Sequence, residues 1–449
     1  MKFPSLVFFL LLECLSPNAF SQVENLTDNT FYTDSTFTTP YDGELVWKYE
    51  NGQIGEKAFY SNGKIEGLYF LYNEDGIINY KANYIRGELN GPASWYYPEG
   101  PIHFKSFYIN GLLNGESVYF DLEGRIELRE TYTKNQLNGN SSKYFNDGKI
   151  QESDNYENGQ LEGLSTTYFK DGKVNRTVNY HLNEPNGECI SYFESGATQN
   201  KTTYINDEPT GTSFWYFENG QIANSTNYEK GKKSGEFKSF YSEGSIESKG
   251  QFHEGLMTGK WSFFDKKGNL STIKNYSNNI LNGNEISYYP NGKIKEKKNY
   301  LNSEIQGKHS FYYKNGRLFS MCKYENNLIK DTLFTYFKNG KIASKENFYN
   351  GKLQGETNWF HKNGQLFFKI KYVNNLRQGD FISYYKKGEI SLKGRYSNDE
   401  LNGDYFRYYK NGNPSYKAHF KKGIIEEGEL NFEENGEVKK NTPNKCTDF

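Results

Sequence analysis

A chain of 449 residues has room for two or three globular domains, each closed around an aliphatic core. The composition excludes that plan: 35% of residues are apolar, and 39 Tyr and 34 Phe place the hydrophobic content on flat rings suited to a thin sheet. Lys and Arg number 54 against 55 Asp and Glu, scattered singly to a net charge of −1, so nucleic acid is not an expected partner.

The first element is an export segment. Met1-Lys2-Phe3-Pro4 precedes the apolar run Leu6 to Leu12, and Ala19 and Ser21 stand three and one residues before Gln22. That is the pattern of a cleaved signal peptide over residues 1–21, too short to span a bilayer. A lipid-anchor reading would use Cys14, but Glu13 stands where a small residue is needed. No later apolar run is long enough to cross a membrane, so integral insertion is not expected. Residues 22–42, rich in Thr, Asp and Asn, read as an irregular, mobile leader. The mature chain keeps Cys189, Cys322 and Cys446, an odd set without CxxC spacing and hence neither a disulfide framework nor a metal cluster.

From residue 43 to 438 a strict period overrides every local signal. Let the glycine of an Asn-Gly-like turn be position zero; it recurs seventeen times at a spacing of 24 from Gly52 through Gly220 to Gly436. Position −4 is aromatic in sixteen of the seventeen, Lys48 being the exception, and position +2 is Ile, Leu or Val in fifteen, Thr198 and Pro414 departing. Position +8 is always Tyr or Phe, from Tyr60 to Phe420. Position +11 is Gly, Asn, Asp or Ser throughout, which predicts a second, left-handed turn. A third glycine column, from Gly43 and Gly67 onward, fails only at Asp331 and Glu427.

Two reversals per period predict one hairpin per repeat. The fold class is therefore all-β, an elongated antiparallel ribbon of about seventeen 24-residue units with nearly one-dimensional stability. A three-residue first loop such as Glu218-Asn219-Gly220 would pair −4 with +2, and alternation would put +8 on the same face. The third glycine column is expected to supply a bulge that resets strand parity. Residues 439–449 form an irregular tail.

The run Tyr288-Tyr289-Pro290-Asn291-Gly292-Lys293-Ile294, followed by Tyr300 and Gly307, resembles the MORN repeat in its bacterial variant form, and the resemblance extends over residues 43–438. It implies a β-hairpin meander. Functionally it implies a scaffold, a lipid- or protein-binding module, or an appendage to an enzyme. Relatives are often labelled toxin–antitoxin antitoxins, a cytosolic role at odds with the export segment. No basic stripe for anionic lipid is evident in the linear sequence.

No catalytic signature occurs: HExxH, GxSxG, GxGxxG and Walker-type loops are absent, and the six histidines scatter over different columns. Paired acids such as Glu426-Glu427 are a solvated face without a pocket around them. No enzyme activity, metal or cofactor is expected.

The suggestive column is −3, with rings at Tyr49, Tyr97, Phe145, Phe169, Phe193, Phe217, Tyr241, Tyr289, Tyr313, Phe337, Tyr385 and Tyr409, and Trp47, Trp95, Trp215 and Trp359 two residues earlier. As a row of rings at constant pitch it is a candidate surface for stacking on a glycan, a peptide or another copy; the plainer reading is rings packing on each other across repeats. The expected protein is an exported binding or scaffolding surface for an unidentified protein or glycan, secreted or held in the periplasm or cell envelope. A spacer or self-assembling filament, and an antitoxin-like inhibitor, are the alternatives.

Overall fold

The repeat around Gly172 shows how the sequence makes its hairpins. In the computed structural model, which describes residues 23–25, 30–32 and 39–439, it consists of the strands Gly163–Tyr168, Val174–His181 and Glu184–Tyr192 with two turns between them. Residues 1–21, read from sequence as an export segment with Cys14, and Cys446 in the tail lie outside the described residues.

At the first turn the Phe169 amide donates to the Lys173 carbonyl at 2.8 Å and the Gly172 amide to the Phe169 carbonyl at 2.9 Å. These bonds close the three-residue loop Lys170-Asp171-Gly172, with Gly172 left-handed at φ 91°. Tyr168 pairs with Val174, so −4 faces +2 as expected. At the second turn His181 pairs with Glu184 across Leu182 (φ 51°) and Asn183 (φ 70°), a two-residue turn of type I′.

Position +11 is left-handed as predicted, but +10 is left-handed too, and it accepts Arg86, Leu182, Glu254 and Lys422 as well as Asn. The primed turn matches the right-handed twist of its strands, which offsets the ~1 kcal/mol cost of a left-handed non-glycine residue.

Two irregularities recur in each repeat. Thr167 pairs with Arg176 and Tyr168 with Val174, leaving Asn175 at +3 as an extra, bulged residue. Further along, Val178 pairs with Cys189 and then Tyr180 with Pro185, and the looped-out stretch contains Gly187 at φ 121°. The third glycine column thus lies in a bulge, as expected. The bulge at +3 was not foreseen, and it corrects the expectation that −4, +2 and +8 share a face. It flips parity, so +8 lies with −5, −7, +4 and +6 on one face while −4 and +2 lie on the other. Ring contacts separate the two sets: Tyr69 (−7) meets Tyr84 (+8) at 5.7 Å and Phe381 meets Tyr396 at 4.8 Å, whereas Phe70 (−6) stacks on Tyr72 (−4) at 6.1 Å.

The strands pair antiparallel, each with its neighbours along the chain. The described residues form two compact bodies that divide between residues 210 and 211. In both, the buried columns are −7 and +6, filled by small residues with occasional rings: Ala58, Tyr69, Ala82, Ala93 and Cys189 in the first body, Trp261, Ile370, Phe381 and Ala418 in the second. Small side chains in the middle of the face let the flanking +8 rings fold over them. The −4/+2 face is more open, and lysines cover its rings: Lys81 Nζ lies 5.5 Å from the centre of Phe70 and Lys393 Nζ 4.8 Å from that of Phe406.

Residues 22–42 lack the repeat register, yet part of this leader closes the first repeat. Val23–Asn25 pairs with Thr30–Tyr32, the Phe31 amide donates to the Gly63 carbonyl at 2.7 Å, and Phe31 and Tyr41 pack on Tyr60 at 5.2 and 5.9 Å. A terminal repeat needs such a cap because it has no neighbour on one side. Where Asp331 replaces the bulge glycine, the strand starts only at Leu333 and runs four residues to Tyr336. Among the described residues no helix is long and apolar enough to cross a membrane.

Candidate interaction surface

The −3 rings sit beside the first turn, all of them half-buried. Each tyrosine of the row reaches forward to the next repeat. The hydroxyls of Tyr49, Tyr97, Tyr241, Tyr289, Tyr313, Tyr385 and Tyr409 donate to the −4 carbonyls of Tyr72, Phe120, Phe264, Tyr312, Tyr336, Tyr408 and Phe432 at 2.7–2.9 Å. His361 Nε2 lies 2.9 Å from the Tyr384 carbonyl in the same arrangement.

The tyrosines are therefore staples between hairpins, each contributing on the order of 1 kcal/mol. Tyr313→Phe is expected to lower the urea midpoint by an amount equivalent to about 1 kcal/mol, while Tyr349→Phe at an exposed strand end leaves it unchanged. Equal effects of the two would remove the staple role.

Phe145, Phe169, Phe193, Phe217 and Phe337 occupy the same position without a hydroxyl and cannot make this bond. The four tryptophans separate. Trp47 lies against Tyr49 at 4.6 Å, as the spacing suggested, but Trp95 turns to Tyr80 and Phe104 at 4.8 and 5.0 Å and Trp359 to Phe368 at 5.5 Å. Trp215 is 46% exposed. The bulged +3 position adds rings that the sequence reading missed: Phe319 (43% exposed) packs on Tyr313 at 5.2 Å, and Phe367 (45% exposed) on His361 at 4.9 Å. The signal for these two would have been the bulge itself, which alternation alone does not reveal.

The Asn of the Asn-Gly turn is equally structural. Asn51, Asn219, Asn291, Asn339, Asn363 and Asn411 donate through Nδ2 to the −2 carbonyl of the next repeat at 2.8–3.0 Å. At the other edge the Asn or Asp at +11 accepts from a backbone amide of the preceding repeat at 2.6–2.7 Å, as Asn135 does from Leu113 and Asp399 from Arg377. Both edges are laced repeat to repeat, and the side chains that protrude between the laces are held at a fixed pitch.

Two cysteines and one histidine are built into the packing. Cys189 and Cys322 are free and buried, and burial pushes the Cys322 thiol up, away from thiolate chemistry. His309 is buried with Nε2 2.7 Å from Glu296 Oε1. Among the described residues no three His, Cys, Asp or Glu side chains are placed to hold a metal ion.

Hairpins of constant length, laced at both edges and packed only on their neighbours, define an antiparallel β-hairpin repeat protein. Within that class this chain belongs to the MORN-repeat proteins: the profile of the MORN repeat variant matches residues 41–62, 137–158, 161–181, 209–230, 233–254, 281–302, 353–374 and 401–422. No curated protein sequence matches the chain. Similar solved structures include the TcdB2-TccC3-Cdc42 crystal structure, at 10% identity over 85% of this chain and 26% of that one, with a TM-score of 0.15. The Photorhabdus luminescens Tc holotoxin pore is similar at 10% identity over 92% of this chain and 26% of that one, also with a TM-score of 0.15. The chain thus spans about a quarter of the length of these structures.

Proposed function

We propose that this chain is an exported, non-enzymatic scaffold that presents a repeated binding surface to a protein or glycan of the cell envelope or its surroundings. The observation that carries this reading is the split within the −3 row: its tyrosines are tied between repeats, while Phe145, Phe169 and Phe193, in consecutive repeats of the first body, present half-buried rings without that tie. Rings held at fixed pitch by the surrounding lacing lose little entropy on stacking against a ligand. The signal-peptide pattern of residues 1–21 supports export.

The test uses residues 22–449 against an envelope extract and a glycan panel, beside the triple variant Phe145→Ala/Phe169→Ala/Phe193→Ala and the triple Phe→Tyr variant at the same positions. The parent and the Tyr variant are expected to capture a common ligand, and the Ala variant to lose it by about tenfold or more while retaining its strand signal. Capture unchanged in the Ala variant assigns the row to structure and removes this reading.

A further inference from the structure

Lysines that are scattered in the sequence align in the fold. Two residues before the turn glycine, five consecutive repeats of the second body carry Lys314, Lys338, Lys362, Lys386 and Lys410, all exposed. Across the four turn positions of these five repeats stand eight cations against the single acid Glu389. The nearby ion pairs Lys330–Glu325, Arg377–Asp399 and Arg395–Asp380 lie toward the opposite edge, and among the described residues none uses a ladder lysine.

The ladder is held from behind. The carbonyls of Lys338, Lys362 and Lys386 accept from Arg317 Nη1, Asn339 Nδ2 and Asn363 Nδ2 of the preceding repeats at 2.7–3.0 Å. Arg317 and Lys341, one residue after their glycines, are spent on the carbonyls of Lys338 and Asn363, whereas the −2 ammoniums are exposed. Two strands per repeat set the rungs about 9.6 Å apart. Beside them lie the exposed rings Phe319 and Phe367 and a cavity of about 470 Å³ whose lining includes Phe337, His361, Lys362, Phe367 and Lys386.

We propose that this edge binds a linear anionic polysaccharide, with its carboxylates or sulfates on the lysine rungs and sugar faces on Phe319 and Phe367. The inference rests on the reading of the chain as a binding scaffold and names a ligand class for it. An acidic polysaccharide with one charge per disaccharide spaces its anions at about the rung interval. A nucleic acid strand brings its phosphates far closer, about 3.4 Å per residue along a helix, and stacks its bases on successive rings. Here the exposed rings beside the ladder, Phe319 and Phe367, stand two repeats apart. All five rungs are Lys, a point charge, where phosphate recognition favours the two-pronged fork of Arg.

The experiment measures binding of residues 22–449 to hyaluronan, which carries one carboxylate per disaccharide, a sulfated glycan, a neutral glucan and a single-stranded oligonucleotide. Alongside run the variant Lys338→Gln/Lys362→Gln/Lys386→Gln and the control Lys232→Gln/Lys308→Gln/Lys352→Gln. All six side chains are exposed, so neither variant disturbs the core. An acidic glycan is expected to bind the parent and the control alike, to bind the ladder variant about tenfold or more weakly, and to lose affinity as salt rises. Phe319→Ala/Phe367→Ala is expected to weaken glycan binding without changing its salt dependence. Equal loss in the control variant, or oligonucleotide binding as tight as that of the glycan, overturns the proposal. If no acidic glycan binds while the phenylalanine-dependent ligand is still captured, the ladder proposal falls and the scaffold reading stands.

Discussion

Gly250→Ala is expected to destabilise the second body by about 1–3 kcal/mol, although it sits in a strand at an ordinary backbone conformation. A methyl group there would lie 2.2 Å from Cδ2 of Trp261. Trp261 is 3% exposed and packs edge-on against Phe252 at 5.2 Å and beside Phe237 at 5.5 Å, so the ring has nowhere to go. Trp261→Ala alone removes this plug at a cost of about 3–5 kcal/mol. The two changes are coupled: in the Trp261→Ala background Gly250→Ala is expected to be nearly neutral. Urea melts of the four proteins decide it, and additive losses would mean that the glycine is there for some reason other than the indole. Gly394 is the parallel case, where a Cβ would stand 2.7 Å from Cζ of Phe381.

Alkali is expected to unfold the first body in step with tyrosine ionisation. Burial pushes the phenols of Tyr69, Tyr80, Tyr84, Tyr108 and Tyr132 upward, and that of Tyr119 up to about 12. Their unfolded value is near 10. Below about pH 10 both states keep the proton and the contribution to stability is constant. Above it the unfolded chain ionises first and binds fewer protons, so stability falls as pH climbs toward the folded values. Loss of strand signal and appearance of phenolate absorbance should coincide between about pH 10 and 12. Phenolate appearing at ordinary pH with the strands intact would show that these rings are open to solvent.

How much of this was legible follows from what each feature needs. Period, hairpin count and the pairing of −4 with +2 came through because turn chemistry and a two-residue alternation are local properties, visible in residues such as Asn219-Gly220. The bulge at +3 was invisible because any residue can occupy it: it is Asn175 in one repeat, Phe319 and Phe367 in others, with no compositional mark. Missing it put Tyr84 and its equivalents on the wrong face. The left-handed +10 position was hidden for a similar reason, since Leu182 and Glu254 give no sign of φ near +50°. The lysine ladder escaped a linear scan because its members stand 24 residues apart, and only reading charge down a column brings Lys314 to Lys410 together. In the −3 row the ring type mattered more than the ring, because a single hydroxyl distinguishes the staple Tyr313 from Phe337 one repeat later.

Pairing confined to chain neighbours also shapes how the protein comes into being. Among the described residues no strand waits for a partner synthesised hundreds of residues later, so the entropy of closing large loops is not incurred there and contact order stays low. A chain delivered end first, from a ribosome or a translocation channel, can add each hairpin to the last as it emerges. The Phe31–Tyr41 cap lies at the end that leads, and it gives the first hairpin a partner before the second arrives.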